Sequence, residues 1–297
     1  MSTVHVLGNP TAGRGHAARV LADVVTEVRR RGDRAVLLEA TSRADALDTL
    51  RHAVDDGAER VVLVGGDGLA HLAVQAIATT KVVLGMVPVG TGNDFARALG
   101  IHRRNLTDAV GRALSEPTSI DAIRTNHGWV ASVATLGFAA TVNERANALR
   151  FPRGAARYTV ATMRELPTLT PTPLHIELDG VGFDVDATMV TIANTRFFGG
   201  GMAICPDADP RDGRLDVAVV ESVSRATLLR FFPRVFRGTH VSHPRVRMLT
   251  GRELRIEHRA PLARDAGLWG DGEPMGPLPT HVEVVPDALH IAGVAQL

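Results

Sequence analysis

Arg60-Val-Val-Leu-Val-Gly-Gly-Asp-Gly-Leu-Ala-His-Leu-Ala-Val-Gln-Ala-Ile77 is the stretch whose reading decides the fold. Val61–Val64 is a short, continuously apolar, β-branched run, the signature of a strand covered on both faces. Leu69, Leu72, Ala73, Ala76 and Ile77 then recur at helical spacing, so Gly65-Gly-Asp-Gly68 occupies a strand-to-helix turn. The next segment repeats the device: Val82-Val-Leu-Gly-Met-Val87, then Pro88-Val-Gly-Thr-Gly-Asn-Asp94, then a helix over Phe95–Leu99. Upstream, strands are predicted at Val4–Leu7 and Arg34–Glu39. Val20, Leu21, Val24, Val25 and Val28 mark one helix closed by Gly32; Leu47, Leu50 and Val54 mark another closed by Gly57. Alternating strands and helices make this half an α/β unit on a mostly parallel sheet.

After Asp121 the texture changes. Leu174–Leu178, Phe183–Val190 and Leu215–Val220 alternate or run apolar between turn signals at Asp179-Gly180 and Asp212-Gly213, which predicts a mostly antiparallel β unit. Two helical patterns interrupt it, near Ala156–Leu166 and Arg225–Phe236. No internal repeat, low-complexity tract or long linker is visible.

Composition narrows the function. The 297 residues are 45% hydrophobic and 22% charged, with 33 Lys+Arg against 32 Asp+Glu, enough apolar material for real cores and no whole-molecule field for nucleic acid. The single cysteine, Cys205, excludes an intramolecular disulfide and a Cys-rich metal site, suits a reducing, cytoplasmic setting and reads as a small core residue. The start lacks a basic region and a long apolar run, and the charge-free stretch from Asn126 to Asn143 is too polar for a membrane span. The histidines form no metalloprotease or triad pattern.

Three Gly-rich turns follow three neighbouring strands: Asn9-Pro-Thr-Ala-Gly-Arg-Gly15, Gly65–Gly68 and Pro88–Asp94. A turn opening a helix points N–H groups at an anion, and ligands of α/β sheets bind at the carboxyl ends of strands. Neither the P-loop pattern nor the dinucleotide fingerprint is present, and Lys81, the only lysine, precedes a strand.

Taken together, Asn9-Pro-x-x-Gly, Gly65-Gly-Asp-Gly68 and Pro88-Val-Gly-Thr-Gly-Asn-Asp-Phe-Ala-Arg97 resemble the diacylglycerol kinase catalytic-domain family, soluble lipid kinases that include the sphingosine kinases. The resemblance runs on through Phe198-Gly-Gly-Gly201, Pro206–Asp216 and Asp271-Gly-Glu273. It implies an NAD-kinase-like α/β nucleotide-binding domain over 1–122, rejoined by a last strand within 287–297, and a β-sandwich substrate domain over 123–286, with the ATP site between them. Residues matching the nucleotide site are Asn9, Pro10, Gly13, Arg14, Thr41, Gly65, Gly66, Asp67, Gly68, Gly90, Thr91, Asn93 and Asp94. The sequence departs from the pattern at Leu69, where Thr is usual, and at Leu72, where Glu is usual.

An Asp-Gly-Glu tripeptide is most often an exposed turn. By resemblance, Asp271 and Glu273 carry the base that accepts the acceptor's hydroxyl proton, as a pair in which neither is singled out; Asp67 completes the candidate catalytic carboxylates. Asp209-Pro-Arg-Asp-Gly-Arg-Leu215 offers hard oxygens, or simply a solvated hairpin turn. The resemblance implies a structural Mg²⁺ held by Asp209, Asp212 and the Arg214 carbonyl, separate from the Mg²⁺ that accompanies ATP. Arg225–Gly238 mixes four arginines with Leu228, Leu229, Phe231, Phe232, Val235 and Phe236, which reads either as a core stripe or as a basic amphipathic helix for an anionic bilayer.

The expected activity is ATP-dependent phosphorylation of diacylglycerol or a related long-chain lipid. The alternatives are an NAD-kinase-like or other small-alcohol kinase, and a non-catalytic lipid- or nucleotide-binding regulator. The expected partner is a lipid at a membrane surface, met by transient peripheral contact at the inner face of the membrane, with room for a homodimer.

Overall fold

The computed structural model describes residues 2–8, 16–103, 105–152, 155–261 and 267–295. Two compact units emerge, Met1–Ile120 with Asp287–Leu297, and Asp121–Pro286.

In the first unit, β1 (Thr3–Gly8), α1 (His16–Arg30), β2 (Arg34–Leu38), α2 (Arg43–Asp55), β3 (Arg60–Gly65), α3 (Asp67–Ile77), β4 (Val83–Pro88), α4 (Asp94–Ala98) and α5 (Leu106–Ala113) follow one another. The strands run parallel in the order β4-β3-β1-β2, with Val62 opposite both Val6 and Gly85. The apolar runs are covered as their composition requires: Val4, Val6, Val62 and Val64 pack with Val20, Val24 and Val28 of α1 and with Ala109, Val110 and Ala113 of α5. Gly85 admits α5 at close range, since a β-carbon there would stand 2.3 Å from the Ala113 carbonyl oxygen.

β5 (Pro117–Thr125) leads into the second unit: β6 (Gly128–Val130), β7 (Val133–Gly137), α6 (Phe138–Ala148), α7 (Ala155–Glu165), β8 (Thr172–Leu178), β9 (Val181–Ala193), β10 (Phe197–Phe198), β11 (Met202–Ala203), β12 (Leu215–Glu221), α8 (Arg225–Val235), β13 (Val246–Gly251), β14 (Glu253–His258), β15 (Leu268–Gly270) and β16 (Glu273–Gly276). Pairing within this unit is antiparallel. Its core includes Ile123, Leu174, Ile176, Val190, Ile192, Leu215, Leu254 and Ile256. The last strand, β17 (Thr280–Ala292), pairs antiparallel with β14 through Thr280–Glu283 and parallel with β4 through His290 and Ile291.

Two differences from the sequence reading stand out. α6 is a helix that the sequence reading lacks; it starts at Gly137, whose φ of +68° replaces the usual side-chain cap. β17 also begins well before 287–297, the span within which the returning strand is expected.

Candidate active site

The two Gly-rich turns of the first unit lie side by side because β3 and β4 pair with Gly65 opposite Pro88, and the Val89 N–H donates to the Gly65 carbonyl at 2.9 Å. A β-carbon on Gly66 would fall 3.0 Å from Gly90 Cα and 3.3 Å from Asn93 Oδ1. Glycine at both positions is therefore a packing requirement. Gly66 is the N-cap residue of α3, so Asp67 and Gly68 form its first turn, where N–H groups lack intrahelical acceptors.

The side chains of this region lock the turns together. Asp67 Oδ1 accepts from the Phe95 N–H at 3.2 Å, tying the start of α3 to the start of α4. Asn93 adopts the left-handed conformation at φ 55° and its Nδ2 donates to the Gly90 carbonyl at 2.7 Å, while its Oδ1 is buried without a hydrogen bond. Asp94 is buried at the head of α4, and Arg97 lies 3.8 Å from its Oδ1. Thr91 is exposed at the tip of the turn. A narrow cleft opens between the turns, lined by Gly65, Gly66, Asp67, Pro88, Asn93 and Phe95. Leu69 leans over Gly65, with Cδ2 2.8 Å from where a β-carbon would sit, and Leu72 is buried in α3. Thr41 stands one residue before Ser42, the N-cap of α2, and both its N–H and its hydroxyl donate to Asp45 at 2.7 and 2.8 Å. Asn9, Pro10, Gly13 and Arg14 lie outside the described residues.

In the second unit, Asp271 occupies the turn between β15 and β16 at φ 53°. Its carboxylate accepts three backbone N–H groups of the β6–β7 connection: Ala131 to Oδ2 at 2.8 Å, and Ser132 and Val133 to Oδ1 at 2.8 and 3.3 Å. Its own N–H donates to the Val133 carbonyl at 3.0 Å. The turn is held from a further side by Asn147 Nδ2, which donates to the Gly272 carbonyl at 2.8 Å. Glu273 opens β16 two residues on, partly exposed. Sequence reasoning missed the clamp on Asp271 because backbone amides carry no residue signature; the turn signal at Asp271-Gly272 was the only clue.

The loop with Asp209, Asp212 and Arg214 lies in the same unit. Arg211 Nε meets Asp209 Oδ1 at 3.2 Å and the Arg214 N–H donates to Asp212 Oδ1 at 2.9 Å. The buried Asp121 anchors this loop: its Oδ2 accepts the Gly213 N–H at 2.8 Å and its N–H donates to the Pro210 carbonyl at 2.7 Å. Burial, helped by Asp212 and Asp207, pushes the Asp216 carboxyl up to about 6. Carboxylates and a backbone carbonyl about a hairpin are the kind of donors that suit a hard divalent cation. Among the described residues no cluster of three or more His, Cys, Asp or Glu side chains converges on one point, so such an ion would need the backbone carbonyl and water.

α8 turns Leu228 and Phe231 inward and packs Phe232 and Val235 against the core, while Leu229 and Phe236 remain 42% and 40% exposed beside the arginines. Its inward face borders an apolar pocket inside the second unit, lined by Phe138, Val142, Met189, Met202, Leu228 and Phe232 among others, with about 70 Å³ of free volume. Cys205 is buried nearby in the core, its thiol pushed up by burial.

Comparison with known proteins supplies the family: residues 3–125 match the diacylglycerol kinase catalytic domain and residues 131–293 match the YegS C-terminal NAD kinase beta sandwich-like domain. A diacylglycerol kinase of Mycobacterium tuberculosis is 36% identical over 295 residues, covering 97% of this chain and 94% of its own. A probable lipid kinase YegS-like protein of Xanthomonas campestris is 30% identical over 266 residues, covering 86% and 85%. The crystal structure of a diacylglycerol kinase from Bacillus anthracis superposes with a TM-score of 0.72 at 17% identity, over 99% of this chain and 98% of that one. The chain belongs to the diacylglycerol kinase catalytic-domain family and is a lipid kinase, a family whose chemistry uses ATP. No helix among the described residues is long and apolar enough to cross a membrane.

Proposed function

We propose that this lipid kinase transfers the γ-phosphoryl group of ATP to the free hydroxyl of diacylglycerol or a closely related long-chain lipid. The observation that carries the acceptor class is the pocket of the second unit, whose walls are almost wholly hydrocarbon and suit an acyl chain rather than a soluble alcohol. In the first unit, the paired glycine turns bring backbone N–H groups close to the phosphates, the role expected where no P-loop lysine exists.

The acceptor oxygen attacks the γ-phosphorus, the bond to the bridging oxygen breaks, ADP leaves, and the hydroxyl proton passes to the Asp271–Glu273 pair. Because phosphoryl transfer passes through a loose transition state, orientation outweighs base strength. A carboxylate fixed by three amides is suited to that task. Asp209, Asp212 and the Arg214 carbonyl would hold a Mg²⁺ that braces their loop, and the metal accompanying ATP would neutralise phosphate charge. The exposed Leu229 and Phe236, with Arg230, Arg234 and Arg237, would give transient contact with an anionic bilayer.

The test is ATP turnover with diacylglycerol in detergent micelles, with NAD, and with no acceptor. Diacylglycerol-dependent ADP release is the expected result, and Val142→Trp, which fills the pocket, should raise KM for the lipid while leaving KM for ATP unchanged. Turnover with NAD alone would replace this reading by the soluble-alcohol one.

A further inference from the structure

Asn194, directly after β9, is 1% exposed and sits behind the Asp271 clamp. Its Nδ2 donates to two backbone carbonyls, Asp121 at 2.8 Å and Ala131 at 3.0 Å, and its own N–H donates to the Ser132 carbonyl at 2.8 Å; the Thr195 N–H reaches the same oxygen at 3.2 Å. Those carbonyls matter because of what lies at the other ends of their peptide groups. A trans peptide is planar, with its C=O and N–H pointing in opposite directions. The Ala131–Ser132 peptide therefore takes a hydrogen bond from Asn194 on its oxygen side and gives one to Asp271 on its nitrogen side. The Ser132–Val133 peptide does the same with the Asn194 N–H and, again, Asp271 Oδ1. Two peptide planes are thus pinned between residue 194 and the carboxylate, and hydrogen bonds in series polarise one another, so each plane donates more strongly to Asp271.

We propose that Asn194 is a positioning residue for Asp271: it fixes the two peptide planes that orient the carboxylate and anchors them through the Asp121 carbonyl to the segment that holds the 209–214 loop. Asn is suited to the position because one NH₂ group supplies two donors to two buried carbonyls, a task that Asp or Leu cannot perform. The assignment rests on the role given to Asp271 above.

The test compares wild type, Asp271→Asn, Asn194→Asp and Asn194→Ala in steady-state turnover with ATP and diacylglycerol. Asn194→Asp keeps the shape and sets an oxygen against two carbonyls. Should it fail to fold, Asn194→Ala removes the donors and leaves a polar gap. Each is expected to lower kcat roughly a hundredfold, the scale of a small misplacement of a reacting group, with both KM values within twofold of wild type. Ile176→Val, a core change in β8 opposite Phe183 of β9 and Ile256 of β14, supplies the comparison for lost stability and should keep kcat. In the Asp271→Asn background, adding Asn194→Ala should change the residual rate less than threefold. An Asn194→Ala enzyme with wild-type kcat, or one whose loss persists undiminished without the Asp271 carboxylate, overturns the inference. A wild-type enzyme inactive on diacylglycerol, or Asp271→Asn at full rate, overturns the underlying reading instead, so the two failures are distinguishable.

Discussion

Gly66 and Gly90 meet backbone to backbone: a β-carbon on Gly90 would stand 2.8 Å from Gly66 Cα and 2.7 Å from Asn93 Oδ1. The two turns can serve one ligand only while both residues lack side chains. Gly90→Ala is expected to destabilise by about 1–3 kcal/mol through overpacking and to weaken ATP binding, as read by thermal denaturation and nucleotide titration. An unchanged melting temperature would show that the turns separate freely.

Asp271→Asn is expected to cut turnover to a small residual rate while sparing ATP affinity. It is not a silent change in shape, however. With N–H groups at both carboxylate oxygens, the new NH₂ must face a donor whichever way it turns, which should cost about 1–3 kcal/mol of stability. Product formation and melting temperature, measured on the same preparation, check both halves.

For the 209–214 loop, added Mg²⁺ should raise the melting temperature of the nucleotide-free wild type, because a ligand bound only by the folded state stabilises it by mass action. Asp212→Ala should erase that response. An equal Mg²⁺ shift in the variant would remove the metal from this loop.

Glu27 gives the clearest acid-sensitive link in the first unit. Hydrogen bonds from Arg30 at 2.7 and 2.8 Å, joined by Arg31 at 2.9 Å, hold its carboxyl down to about 2, and Arg31 in turn donates to the Thr107 carbonyl at the start of α5. Since the folded value lies below the unfolded one, this stabilisation is complete above about pH 4.5 and is lost as pH falls toward 2. Glu27→Gln should melt below wild type at pH 7, and the gap should close on acidification. A gap that does not change with pH would assign the effect to packing.

Replacing Arg230, Arg234 and Arg237 with Gln should reduce sedimentation with anionic vesicles and flatten its salt dependence, at about 1 kcal/mol per arginine near the surface, without altering ATP affinity. Equal vesicle binding would leave α8 as a core-facing helix alone.

The α/β half was legible because its strands are continuous apolar runs and its helices carry strong periodicity; Gly32 and Gly57 indeed take positive φ just beyond α1 and α2. α6 was not legible. Ala139, Ala140, Thr141, Asn143 and Ala146 give a weak apolar stripe, and Asn143 is buried through a hydrogen bond to Thr135, against its polar appearance. At the candidate site, glycine turns and the Asp271 motif could be read from residue type. Asp121, Asn194 and the amides of 131–133 could not, because their roles are backbone contacts between segments distant in sequence.

The path of β17 has a consequence for synthesis. The edge of β4 is completed by His290 and Ile291, and the Ala288 carbonyl accepts the Thr79 N–H at 2.8 Å, yet these residues leave the ribosome only after all 166 residues of the other unit, 121–286, have been made. A nascent chain thus waits with four of its five parallel strands in place and one flank open to mispairing. Emergence of His290 and Ile291, rather than of the glycine turns, is the moment at which the sheet of the first unit can close.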